Sequence, residues 1–149
     1  MASLLFLFLA FAPIVAPCFF VAAAVRLAVR ARRQPRDSGW RPPSGSTCAL
    51  VAVMAGSAMC GAYAWGVMSG FYVLDPDQMC AAKGVAGDHV LTRWTLPVSA
   101  QCVTSDGVGS ELVPGWVNPV IFLGLTLFVL ALGAGVLAGA RRRPAPAVN

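Results

Sequence analysis

The residues best suited to acid–base or metal chemistry lie in one polar stretch of this sequence, residues 75–115. Asp88 and His89 are adjacent there, and a carboxylate beside an imidazole can serve a general base or a metal site. Trp94 and Glu111 are the other residues of this stretch on which an enzymatic site would rest. No nucleophile or further ligand stands at a recognisable spacing, and adjacent side chains tend to point in different directions. We therefore expect a solvated Asp–His pair and no catalytic residues.

Three aspartates in the same stretch, Asp75, Asp77 and Asp88, carry ligands that calcium prefers. The loop spacing of an EF-hand is absent, so we expect no metal and no cofactor. Asp75 precedes Pro76 and an apolar turn, which is typical of a helix N-cap followed by proline at the first helical position.

The five cysteines of the chain divide between this stretch and its apolar surroundings. Cys80 and Cys102 are the two in the polar stretch, and we predict a disulfide between them. A cross-link of this loop length removes roughly 3 kcal/mol of unfolded-state freedom, and so small a domain cannot hold itself together by burial alone. We expect Cys18 and Cys60 to be small apolar side chains. Cys48 fits the same role, with S-palmitoylation at the membrane boundary as the alternative.

The elements that would position these residues are membrane helices. The chain is 58% hydrophobic and 11% charged, whereas soluble domains are about 25% charged. Three uncharged apolar runs, residues 2–25, 47–74 and 116–140, each exceed the roughly 20 residues that cross a bilayer, and a backbone in lipid satisfies its own hydrogen bonds as a helix. The first run has no basic residue before it and Arg26 and Arg30 after it, so a retained span is favoured over a signal peptide.

Charge placement predicts the orientation. Nine of the eleven basic residues flank the spans on one side: Arg26, Arg30, Arg32, Arg33, Arg36, Arg41, Arg141, Arg142 and Arg143. Residues 75–115, on the other side, contain two basic residues, Lys83 and Arg93, and five acidic residues. Short arginine-rich segments remain cytoplasmic, so the N-terminus is expected outside and the C-terminus inside, in the plasma (cytoplasmic) membrane. The predicted segments are helix 1 (2–25), an Arg-rich cytoplasmic loop (26–46), helix 2 (47–74), an extracytoplasmic loop domain (75–115), helix 3 (116–140) and a cytoplasmic tail (141–149).

The same arginines predict a lipid partner. Each contributes about 1 kcal/mol of attraction to anionic headgroups close to the surface. Aromatic residues interleaved with them are too few for nucleic-acid binding, which we do not expect. The expected headgroup contacts are Arg30, Arg32, Arg33, Arg36, Arg141, Arg142 and Arg143.

Within the loop domain, a β-favouring stretch runs over residues 90–98. Residues 103–104 and 112–113 flank the turn-forming sequence of residues 105–107, which favours a short β-hairpin. At the start of the third span, Asn118 before Pro119 matches a helix N-cap. The predicted fold class is thus an all-α membrane protein of three transmembrane helices with a small disulfide-stapled loop domain.

Small residues recur at spacings of four in the second and third spans, which lets helix backbones approach closely. Packing within one chain and packing between chains both remain open. The candidate packing residues are Ala52, Gly56, Ser57, Gly61, Ala62, Gly66, Gly70, Ala131, Gly135 and Gly139. Pro13 and Pro17 lie one turn apart in the first span and predict a bend, interpreted as a tolerated kink rather than a hinge.

No Asp, Glu, Lys, Arg or His lies inside the three runs, which disfavours a pump or an ion-coupled transporter. Ser57, Ser69 and Thr126 are the polar side chains identified there that could line a pore. The favoured hypothesis is a non-enzymatic small subunit or accessory factor that binds another membrane protein or itself. An oligomeric transport or channel component is the first alternative, and a membrane enzyme with a site in the outer loop is the remote one.

Overall fold

The computed structural model describes residues 2–33, 44–70 and 75–141, with side chains described from residue 11 onward. Its elements, in chain order, are α1 (Ala2–Arg33), α2 (Gly45–Ser69), α3 (Pro76–Ala82), β1 (His89–Arg93), β2 (Ser99–Val103), β3 (Gly109–Glu111) and α4 (Val117–Ala140). Among the described residues, three helices are long and apolar enough to cross a membrane: α1 from Phe11, α2 and α4. The protein is therefore mostly helical, with a small sheet between its second and third long helices.

The helix limits differ from the predicted spans at several ends. α1 continues past Val25 to Arg33, because arginine, alanine and leucine are good helix formers and no proline or glycine intervenes before Pro35. α2 begins at Gly45, where the Ser44 hydroxyl accepts a hydrogen bond from the Thr47 N–H at 3.3 Å. The predicted end of this span, residues 71–74, lies outside the described residues.

α2 lies between α1 and α4, antiparallel to both. Toward α1, Gly61 lies against Ala16 and Ala64 packs with Ala12. Toward α4, by contrast, Gly66 faces Val117 at one end of α2, whereas Gly135 faces Cys48 at the other end. At 3.6 residues per turn, these two sets of α2 residues lie on opposite sides of the helix. The three helices thus form a row rather than a closed bundle.

The sheet is an antiparallel meander in the order β1-β2-β3. β1 pairs with β2 from His89↔Val103 to Arg93↔Ser99, and β2 pairs with β3 through Cys102↔Ser110. The predicted hairpin is therefore present. Its second strand is residues 109–111 instead of residues 112–113.

The hairpin turn explains this difference. The Thr104 N–H donates to the Val108 carbonyl oxygen at 3.0 Å, and Gly107 adopts a positive φ of 80°. This conformation suits glycine and closes the turn tightly, so pairing resumes at once with Val103↔Gly109. β1 is also shorter than the predicted β stretch, because the chain turns from Trp94 and Pro97 has no N–H to donate to a strand.

The predicted disulfide joins Cys80 in α3 to Cys102 in β2, with the two Cα atoms 5.9 Å apart. Both cysteines are 0% exposed. Asp75 occupies the N-cap position of α3 as predicted, but its side chain makes no capping hydrogen bond. The carboxylate of Asp77 instead accepts from the Gln78 N–H at 2.8 Å.

The predicted N-cap at Asn118 is wrong. α4 begins at Val117, with Trp116 in the cap position and no side-chain capping bond. The side-chain amide of Asn118 is instead hydrogen-bonded to Val98 in the loop domain, residues 75–115.

Candidate functional site: the junction of the loop domain and the membrane helices

Of the adjacent acid and histidine considered for chemistry, Asp88 makes a hydrogen bond within the loop domain and His89 is exposed. The Asp88 carboxylate accepts a hydrogen bond from the Ser105 N–H at 2.8 Å and so fixes the β2–β3 turn. His89 is exposed on β1, opposite Val103. Among the described residues, no group of three or more histidine, cysteine or acidic side chains could hold a metal ion. The Asp88 carboxylate thus stabilises the fold of the loop domain.

Glu111 is the most heavily hydrogen-bonded carboxylate of the loop domain. Its oxygens accept from the Ser99 hydroxyl at 2.7 Å, the Ala100 N–H at 2.9 Å, the Gln101 amide at 3.1 Å and the Val113 N–H at 3.3 Å. Burial raises the pKa of Glu111, but these four hydrogen bonds to the ionised form outweigh it, so the pKa lies below its ordinary value. Glu111 therefore joins the end of β3 to β2 as an ionised acceptor.

We expect the loop domain to lose stability in acid through Glu111. Because the folded-state pKa is depressed, the stabilisation is fully present above the unfolded pKa near 4.5 and is lost as pH falls through the lower folded pKa. Glu111→Gln should weaken the domain at neutral pH, since an amide cannot accept from all four donors, and should flatten its pH dependence below 5. Protease resistance of residues 75–115 in detergent, measured from pH 7 to 3, checks this. Asp106→Asn, at an exposed turn position, is the control, and an unchanged acid profile in Glu111→Gln would contradict the assignment.

Two glycines near the end of α2 bring the loop domain onto the helix. A Cβ added to Gly70 would lie 2.7 Å from Thr92 Cγ2 and 2.8 Å from Ala100 Cβ. A Cβ added to Gly66 would lie 3.0 Å from a methyl group of Val117 and 3.2 Å from one of Val98. These contacts leave no room for a side chain at either position. The absence of side chains at Gly66 and Gly70 therefore allows the loop domain to pack directly on α2.

Two polar side chains of the membrane helices bind the backbone of the loop domain. The Tyr63 hydroxyl donates to the Trp94 carbonyl oxygen at 3.0 Å. The Val98 N–H donates to Asn118 Oδ1 at 2.9 Å, and Asn118 Nδ2 donates back to the Val98 carbonyl at 2.9 Å. Sequence reasoning passed over Tyr63 and interpreted Asn118 only as a helix N-cap. The signal available was that each is a hydrogen-bonding side chain in an otherwise apolar run.

An apolar core completes this region, which we call the junction (Tyr63, Gly66, Gly70, Val98 and Asn118). Its buried side chains come from α2, the β1–β2 connection, β2, the β3–α4 connection and the start of α4. They are Ala62, Val67, Val98, Ala100, Val113, Val117 and Ile121. The junction therefore fixes the loop domain to the α2–α4 pair through both apolar packing and paired polar groups.

A groove lies along the contact between α1 and α2 and extends to the start of α4. Its volume is about 420 Å³. Small residues, Ala16, Ala58 and Gly61, line its floor, and Trp65 and Trp116 stand at its rim, each half exposed. A second apolar groove of about 330 Å³ also lies between α1 and α2, on the opposite side of their contact. Both are open at the surface of the three-helix row.

The candidate packing residues have different environments. Gly56, Ala62 and Gly135 face α4, Gly61 lies against α1, and Gly66 and Gly70 lie under the loop domain. Ala52 and Ala131 are buried, and a Cβ on Gly139 would meet nothing within 4 Å. Gly124, which the spacing did not single out, lies directly against the backbone of α2: its Cβ would lie 3.0 Å from Met59 Cβ and 3.1 Å from the Ala55 carbonyl oxygen.

The hydroxyl groups of Ser57, Ser69 and Thr126 donate hydrogen bonds to their own helices. Ser57 donates to the Met54 carbonyl at 3.0 Å and Ser69 to the Trp65 carbonyl at 2.8 Å. Thr126 does the same to the residue four before it, at 2.9 Å. These hydroxyls are already satisfied within their helices and add little polar surface to either groove.

The arginines predicted to contact lipid headgroups are described in part. Arg30, Arg32 and Arg33 are exposed in the last turns of α1, and Arg141 is exposed just after α4. Arg36, Arg142 and Arg143 lie outside the described residues. Of the three remaining cysteines, Cys48 is buried and Cys18 and Cys60 are exposed on the helices.

Comparisons with protein-family models, with curated proteins and with solved structures find no match for this chain.

Proposed function

We propose that this protein is a non-enzymatic membrane subunit that holds a rigid, disulfide-stapled domain at the extracytoplasmic surface and binds a transmembrane helix of a larger partner. The observation that carries the proposal is the α1–α2 groove. Small residues on its floor permit close backbone approach, which is how membrane helices associate in lipid. A partner helix bound there would pack against α1 and α2 and cover the apolar groove between them.

The arginine distribution supports the proposed orientation, with the N-terminus outside and the C-terminus in the cytoplasm. Because α2 is antiparallel to its neighbours, Arg30 and Arg33 of α1 and Arg141 after α4 belong to the same end of the row. Basic residues of short flanking segments favour the cytoplasmic side. The loop domain, at the opposite end, would then face the oxidising compartment in which disulfides persist. Both features agree with the plasma membrane as the location.

Photo-crosslinking from native membranes tests the proposed partner. A photoreactive residue replacing Ala58 of α2 or Phe20 of α1, both of which line the groove, should give the same discrete adduct with a different, larger membrane protein. The matched control replaces Leu130, an exposed residue of α4 on the far side of the row, and should give no such adduct.

The remaining outcomes separate the alternatives. An adduct of two copies of this chain would favour the oligomeric transport or channel component, and conductance of the purified oligomer in liposomes would then be the next measurement. Adducts with lipid alone at Ala58 and Phe20 would contradict a partner helix in the groove. Lateral association, rather than catalysis, also agrees with the structural hydrogen bonds of Asp88 and Glu111.

A further inference from the structure

We infer that the connection between β1 and β2, residues 94–98, is a membrane-dipping turn whose ligand is the lipid of the adjacent leaflet. The inference does not depend on which partner occupies the groove or on which side of the membrane the loop domain lies. This turn, called here the 94–98 turn, packs against α2 and α4.

The turn lies beside residues that belong to the candidate membrane spans. Trp94 is bonded to Tyr63, and Val98 contacts Gly66 and Asn118. α2 continues beyond these contacts to Ser69 and α4 has already begun at Val117. Residues 94–98 are therefore placed alongside the ends of two membrane helices, at the level of the lipid interface.

The backbone groups at the two ends of the turn have hydrogen bonds of the kind that such a location demands. An irregular backbone is tolerated at membrane depth when protein groups satisfy its N–H and C=O groups. Here the Trp94 carbonyl is satisfied by Tyr63, and both polar groups of Val98 are satisfied by Asn118. In each case the polar side chain comes from a membrane helix and reaches a backbone group of the turn.

The side chains of the turn suit lipid. Trp94 is 52% exposed and Leu96 is 44% exposed, and the indole N–H of Trp94 is already bonded to Thr92 Oγ1 at 3.3 Å. Tryptophan favours the headgroup level, and apolar anchors of this kind bury about 5–10 Å into the boundary of headgroups and acyl chains. The exposed cation Arg93 precedes the turn, where a guanidinium can reach phosphate groups.

The opposite end of the sheet provides a matched control. Val108 lies in the β2–β3 turn and is 66% exposed. The five residues of β2 separate the two turns, which amounts to about 17 Å at 3.4 Å per residue. A probe at residue 108 should therefore be in water while one at residue 94 is in lipid.

The test uses the full chain in vesicles of zwitterionic phospholipid, with Trp94 as the single tryptophan (Trp40→Phe, Trp65→Phe and Trp116→Phe). Lipids brominated high on their acyl chains should quench Trp94 strongly, and aqueous acrylamide should quench it weakly. In the control, which adds Trp94→Phe and Val108→Trp, both results should reverse. Equal access of acrylamide to the two tryptophans, or no bromolipid quenching of Trp94, would overturn the inference.

A second measurement avoids replacing the tryptophans. Leu96→Cys and Val108→Cys are compared after Cys18, Cys48 and Cys60 are changed to alanine, with the disulfide left in place. A membrane-impermeant maleimide should label residue 96 much more slowly than residue 108 in vesicles, and the difference should disappear when the domain is unfolded. Equal labelling rates in the folded protein would count against a lipid-immersed turn.

Discussion

Replacing Cys80 and Cys102 by alanine should unfold the loop domain while leaving the three long helices in the membrane. Both residues are fully buried, and a Cβ on Gly87 would lie 2.8 Å from Cys102 Cβ, so the chain is packed directly around the bond. Removing a native disulfide from a small domain costs about 2–5 kcal/mol, which approaches the whole stability available to a domain of this size. Limited proteolysis in mild detergent should cut residues 75–115 rapidly in the variant and slowly in the parent.

The free cysteines supply the control for this experiment. The triple variant Cys18→Ala, Cys48→Ala and Cys60→Ala should be as resistant to protease as the parent. On gels, its oxidised form should still migrate faster than its reduced form. Recovery of the oxidised form directly from cells would also support the proposed orientation, because the cytoplasm keeps thiols reduced. If parent and double variant were equally resistant to protease, the stapled-domain account would fail.

Asn118→Leu should detach the loop domain from α2 and α4. The substitution leaves the Val98 N–H and carbonyl without their partner. Each unsatisfied buried group costs about 1–3 kcal/mol, so a loss of roughly 2–6 kcal/mol is expected if water does not enter. Hydrogen exchange of the Val98 amide should accelerate, and proteolysis within residues 75–115 should increase.

Two further variants make the Asn118 result specific. Asn118→Asp keeps an acceptor for the Val98 N–H but loses the donor to its carbonyl, so its effect should be intermediate. Thr126→Val removes a hydroxyl that bonds only within α4, and it should behave as the parent. An Asn118→Leu variant with parental exchange at Val98 would show that the paired amide contact does not hold the junction.

The sequence was sufficient for features that depend on local composition. Uncharged runs of helix length predicted the three long helices, and two cysteines in one short polar stretch predicted the disulfide. The turn sequence around Gly107 predicted the hairpin, although not where its second strand lies. These features follow from hydrophobicity, turn preference and chain entropy, all of which can be evaluated within a short window.

The junction could not be predicted in this way, because its contacts are long-range. Asn118 has the local pattern of a helix N-cap, yet its amide binds a residue twenty positions away. Gly66 and Gly70 have the spacing of a helix-packing stripe, yet they accommodate a sheet. Glu111 appeared as a candidate acid, but three of its four donors, Ser99, Ala100 and Gln101, lie on the neighbouring strand β2 and are brought to it only by the folded register.

The row of helices has a mechanical consequence. The sheet is fixed to α2 and α4 together, whereas α1 packs along α2 and makes no contact of similar extent with α4 or the sheet among the described residues. Since packed protein interiors transmit strain, a tilt of the central helix α2 should also tilt the sheet. Because α1 packs along α2, a displacement of α1 should reach the sheet only through α2.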